Sequence, residues 1–149
     1  MYFVPREANL VYRGIKSLLV LSLLSLLLVQ PATAAAAKTV KIKVTLVSIE
    51  LVENNHVGNE WYTAAYVNGK EIKKGSTVTL NLKPTESVKL KAYAEEQDKI
   101  PDVGTSTASI KVSSVSKPVN KALKVTVKEN RGRYSGNTAE WKFTFKIQK

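Results

Sequence analysis

The residues best suited to chemistry lie in one stretch, Glu95-Glu96-Gln97-Asp98-Lys99-Ile100-Pro101-Asp102-Val103-Gly104. Its four carboxylates, packed so closely along the chain, repel one another unless water or a shared cation separates them. Calcium suits such a set, because it takes about six to eight oxygen ligands in flexible geometry and accepts carbonyl and amide oxygens as well. Glu53-Asn54-Asn55 offers further oxygens, so the expected calcium ligands are Glu53, Asn54, Glu96, Asp98 and Asp102. Lys99 inside the acidic stretch works against a cation, and the spacing is not that of an EF-hand loop. A second constellation, Arg131-Gly132-Arg133-Tyr134-Ser135-Gly136, places two guanidinium groups beside an aromatic ring. Arg131 and Arg133 would pair with an anionic partner while Tyr134 stacks on it.

Other chemistries lack their parts. His56 is the single histidine and cysteine is absent, so a zinc site has too few nitrogen and sulfur ligands and no thiol nucleophile exists. No G-x-S-x-G context surrounds a serine. Ser114-Val115-Ser116-Lys117 has the S-x-x-K spacing, but it ends a strand before Pro118 rather than opening a helix. No glycine-rich phosphate loop occurs. The expectation is a protein that binds and does not catalyse. Its aromatic residues could form a sugar-binding platform, yet Trp141, Phe143 and Phe145 share a parity with Ile147 and read as core. Tyr93 lies between inward-facing Ala92 and Ala94, so it should point out, and Tyr134 should be exposed in its loop.

The first 37 residues read as a secretory signal peptide, cleaved from a mature domain of residues 38–149. Arg6, Arg13 and Lys16 precede the apolar run SLLVLSLLSLLLV, followed by Pro31 and the small residues Ala32-Thr33-Ala34-Ala35-Ala36-Ala37. That run is shorter than the ~20 residues a retained membrane span requires. Cleavage after Ala34, Ala36 or Ala37 fits equally, and the product is expected outside the cell or at its surface. The mature part is long enough to bury a core without disulfides. The whole chain carries 23 Lys and Arg against 12 Asp and Glu, a net charge of +11. A basic exported domain favours polyanions such as lipid headgroups or acidic polymers, or another protein, whereas nucleic acid is not expected outside the cytoplasm. Lysines on outward strand positions also guard edges against aggregation.

From Thr39 onward the hydrophobic period is two, the period of strands with one buried face. Val40, Ile42, Val44 and Leu46 alternate with polar residues, and the phase slips at Leu46-Val47, which predicts a bulge or a crossing between sheets. Trp61 to Val67 reads as a second strand. Asn68-Gly69 then predicts a two-residue hairpin into a short strand, Lys70 to Ile72. Five further alternating runs follow, giving an all-β, eight-stranded antiparallel β-sandwich, C2-like or immunoglobulin-like. If each strand reverses the last, residues 53–60, 73–75, 95–105 and 129–137 gather at one end, and this acidic end is the candidate site.

Glu96-x-Asp98 followed by Asp102-Val103-Gly104 resembles a shortened D-x-D … D-x-hydrophobic-Gly loop of the C2 domain, an eight-stranded calcium- and lipid-binding sandwich. Glu53-Asn54 … Gly58-Asn59 … Trp61-Tyr62 resembles the first calcium loop of that family, with Glu where the family has Asp at residues 53 and 96, and Glu60 nearest to its second Asp. The resemblance implies calcium-dependent attachment to an anionic surface or polymer. The alternative from another class is a structural envelope or matrix protein, or an inhibitor of a secreted enzyme.

Overall fold

Each alternating run becomes a strand in the structure, a computed structural model that describes residues 38–149. The leader reading of residues 1–37 lies outside the described residues. The strands are β1 (Val40–Asn54), β2 (Trp61–Val67), β3 (Lys70–Glu71), β4 (Thr77–Leu82), β5 (Ser87–Glu96), β6 (Asp102–Lys111), β7 (Val119–Lys128) and β8 (Thr138–Gln148). They form two antiparallel four-stranded sheets, ordered β4-β1-β8-β7 and β3-β2-β5-β6, facing each other as a sandwich. The only helical piece among the described residues is a short 3-10 turn, Val112–Ser114.

The core is built from the inward parity of both sheets. Ile42, Val44, Leu46, Phe143, Phe145 and Ile147 from one sheet meet Val88, Leu90, Ala92 and Ala94 from the other, all buried. Phe143 and Phe145 are the largest fully buried side chains. Burying an aromatic side chain of this kind contributes on the order of 1.5–3 kcal/mol, which a disulfide-free domain relies on. The hairpin at Asn68-Gly69 forms as its residue types demand, with φ of 49° and 82° at its two central positions.

The phase slip at Leu46-Val47 is a β-bulge, seen as a register shift against β8 between Leu46 and Ser48. A second shift, between Leu51 and Glu53, has no counterpart in the sequence pattern. β4 accompanies β1 only as far as Thr45, after which the Leu46 N–H donates to Ser76 O and its carbonyl accepts from the Gly75 N–H. Beyond that point β1 pairs only with β8 among the described residues, and Val47, Leu51 and Val52 are exposed along it.

Pairing fixes which loops share an end. Asn54 stands opposite Ala139, Trp61 opposite Glu96, and Glu96 opposite Asp102. Residues 55–60, 97–101 and 129–137 therefore converge, as strand alternation predicts. Residues 73–75 do not join them. Their connection is bonded to Leu46, halfway along β1, because β3 holds only two residues and β4 starts late. The acidic loop is also shorter than expected. Asp102, Val103 and Gly104 already pair with Glu96, Glu95 and Ala94 as the first residues of β6.

Gly104 packs close against β7 of the facing sheet. A Cβ there would collide with the Thr126 carbonyl oxygen and Val125 Cγ1 across the sandwich. Gly104→Ala should destabilise the domain by about 1–3 kcal/mol, as overpacking does. Urea unfolding followed by tryptophan fluorescence measures it, and a midpoint equal to wild type would contradict this packing.

Candidate functional site

Three loops and two buried acids make the site. The loop after β1 is shaped by Asn54, whose side chain binds across its own turn. Its Oδ1 accepts from the Val57 N–H at 3.0 Å, and its Nδ2 donates to the Gly58 carbonyl at 2.7 Å. His56 and Gly58 both have positive φ, 57° and 117°. Gly58 lies directly over the Glu96 carboxylate, so any Cβ at that position would strike it. Val57, 1 % exposed, plugs the end of the core.

Glu96 ends β5 and Asp102 begins β6, and both point inward by parity, at the mouth of the sandwich. Asp102 binds the third loop. Its Oδ1 accepts from Asn130 Nδ2 at 2.6 Å and its Oδ2 from the Asn130 N–H at 3.3 Å. The same Nδ2 also donates to the Lys128 carbonyl at 3.0 Å. The loop closes on itself through Glu129, whose N–H donates to Asn137 O and whose carbonyl accepts from the Gly136 N–H. Its tip leans on the first loop: the Tyr134 ring stacks on His56 with centroids 5.2 Å apart, and the Arg133 guanidinium lies 5.8 Å from the Tyr134 centroid. Between the loops is a cleft of about 520 Å³, lined by Glu96, Asp98 and Glu129 together with Arg131, Arg133 and Tyr134.

Glu96 is the unusual group. It is 4 % exposed, and its Oε2 has no hydrogen-bond partner among the described residues. Burial raises its pKa above the ordinary carboxylate value, and the negative charges of Asp98, Glu129 and Asp102 push it further. A backbone N–H of Asp98 opposes the shift. Nearby, Trp61 and Trp141 meet edge to face at 5.5 Å, and neither indole N–H has a partner among the described residues.

The expected calcium ligands divide. Glu96, Asp98 and Asp102 come together, with Glu129 beside them. Glu53 does not. The second bulge of β1 turns it to the outer face of its sheet, opposite Glu140, where its charge acts on Lys124. Asn54 spends its amide on its own turn, and both oxygens of Asp102 accept from Asn130. Asp98 Oδ1 accepts from the Ile100 N–H at 2.7 Å. Among the described residues no three acidic or histidine side chains form a ready-made metal group. Arg131, Arg133 and Tyr134 sit at the loop tip as expected, with Tyr134 exposed. Sequence reading missed Glu129, Asn130 and the pairing of His56 with Tyr134. An acid and an asparagine opening a hairpin loop look like ordinary turn residues, and the lone histidine carries no spacing signal.

No family model matches this chain, and no curated protein matches it.

Because the pKa of Glu96 is raised by folding, the folded protein holds that proton more tightly than the unfolded chain does. The resulting stability is complete below the ordinary carboxylate value and is lost as pH rises through the raised one. Glu96→Gln keeps the shape without the charge. It should raise stability at pH 7 by about 1–3 kcal/mol, through removal of a buried charge set among Asp98, Glu129 and Asp102, and remove that segment of the pH profile. Thermal melts from pH 3 to pH 8 measure both effects, and parallel profiles for variant and wild type would contradict the assignment.

Proposed function

We propose that this chain is a non-catalytic, exported binding module, a C2-like sandwich in its organisation, that attaches to an anionic surface through its loop end. The observation that carries the reading is a basic tip, tied down through Asn130 to buried Asp102, that lines one cleft with Glu96, whose Oε2 has no partner among the described residues. Acidic and basic side chains line the same cleft. Arg131 and Arg133 present planar forks suited to phosphate or carboxylate groups, and the net charge of the chain draws it toward such surfaces. The uncompensated acids beneath the tip repel the same ligand.

Calcium resolves that conflict. Glu96 would hold it through the oxygen left without a partner, with Asp98 and Glu129 turning toward it from the loop surface. The ion would neutralise the floor of the cleft and leave the arginines free for an anion. Glu53 and Asn54 take no part in this version of the site. The leader-like first 37 residues are the feature that supports export.

The test is co-sedimentation with phosphatidylserine vesicles and with phosphatidylcholine vesicles, each in calcium and in chelator. The reading expects binding to the anionic vesicles alone. Binding should be stronger in calcium, fall with added salt, and weaken about tenfold or more in the double variant Arg131→Ser, Arg133→Ser. Equal binding in chelator would remove calcium from the account. Full binding by the double variant would remove the tip.

A further inference from the structure

The outer face of the β3-β2-β5-β6 sheet carries residues that the loop end does not use. Across β2, β5 and β6 the register stacks them in ranks: Tyr62, Glu95 and Val103; then Ala64, Tyr93 and Thr105; then Tyr66, Lys91 and Thr107; then Lys89 with Ser109. Ala64 points outward by parity yet is only 3 % exposed. Tyr62 and Tyr66 flank it along β2 and Tyr93 is its cross-strand partner, so three tyrosines share this face. Tyr62 and Tyr93 meet edge to face at 6.1 Å. The Tyr93 hydroxyl donates to the Glu95 carboxylate, which holds the ring in place and pushes its pKa up to about 12. Tyr62 itself is 42 % exposed.

Beside this row runs a groove of about 680 Å³, between Tyr66 on one wall and Thr107 and Ser109 on the other, with Lys89 and Lys91 lining it. The Lys91 ammonium lies 5.5 Å from the Tyr66 centroid, so its position is set by the ring. No acidic side chain lines the groove itself. Glu95 on β5 is engaged by Tyr93, and Glu71, opposite Tyr66 on β3, stands outside the groove at its β3 edge, where its charge acts on Tyr62. Aromatic faces, small hydroxyls and ammonium groups in one open channel are complementary to a sugar chain bearing negative charge. The C–H faces of pyranose rings pack on tyrosine, ring hydroxyls pair with Thr107 and Ser109, and carboxylates or other acidic substituents meet Lys89 and Lys91.

We propose that this face is a binding site for an acidic polysaccharide, with Tyr62 and Tyr66 as stacking residues and Lys89 and Lys91 as the charge partners. The site stands apart from the loop end, so either can fail alone. It also adds sugar stacking to a protein whose charge alone would select any polyanion.

Isothermal titration of the protein with polygalacturonate tests it, alongside neutral dextran and inorganic polyphosphate. Polygalacturonate should bind at least about tenfold more tightly than either control. Tyr66→Ala and Lys91→Gln should each weaken it about tenfold with melting temperature unchanged, and Tyr66→Phe should retain it, since stacking needs the ring and not the hydroxyl. Arg131→Ser with Arg133→Ser should leave this binding intact while weakening the vesicle binding described above about tenfold or more. Polyphosphate binding equal to polygalacturonate would overturn the proposal by reducing the face to plain charge. So would binding that survives both Tyr66→Ala and Lys91→Gln, or dextran binding as tight as that of the acidic chain.

Discussion

A buried carboxylate held by one asparagine fixes the geometry of the loop end. Asp102 is 7 % exposed and accepts two hydrogen bonds from Asn130, one from the side chain and one from the backbone. Hydrogen bonds to a charged group contribute on the order of 1.5–3 kcal/mol each, and leaving such a group unpaired costs at least as much. The pairing therefore ties the connection between β7 and β8 to the first residue of β6, in the opposite sheet. From that anchor the loop runs out to Arg131 and Arg133 and returns through the Tyr134–His56 stack to the loop after β1. Without the anchor, a nine-residue loop rich in glycine and charge would have little reason to stand over the cleft.

The same arrangement explains the isolation of Glu96. Two inward-facing acids sit opposite each other at the end of the sheet. Asn130 satisfies one of them, and the other lies under Gly58 with its Oε2 unpaired among the described residues. A protein carries such a group at a cost in stability, which makes the stability of the loop end depend on the protonation of Glu96. The rest of the sandwich bears the load. Phe143, Phe145 and the aliphatic residues around them hold the sheets together, and the outer faces remain free to carry charge and aromatic surface.

Much of the fold was legible because period-two alternation survives wherever a strand has one buried face. The hairpin at Asn68-Gly69, the bulge at Leu46-Val47 and the inward parity of Trp141, Phe143, Phe145 and Ile147 all follow from local pattern. Legibility ended where tertiary pairing overrides composition. A run of acids from Glu95 to Asp102 reads as one long solvated loop, yet pairing carries β5 to Glu96 and starts β6 at Asp102, so two of the acids are buried. The second bulge, which swings Glu53 to the opposite face, leaves no trace in the pattern because Leu51 and Val52 are both apolar. Asn130 was invisible for a simpler reason: its partner lies 28 residues away in the other sheet.

The central claim is that Asp102 and Asn130 order the loop that presents the basic tip. Backbone ¹⁵N relaxation of residues 129–137 in the native protein and in Asn130→Ala addresses it most directly. The account predicts order parameters near 0.85 in the native loop, roughly those of rigid backbone, falling below about 0.6 in the variant while β5 and β6 stay unchanged. Equal order in the two proteins would mean that the loop holds itself, and that the buried pair does not position the site.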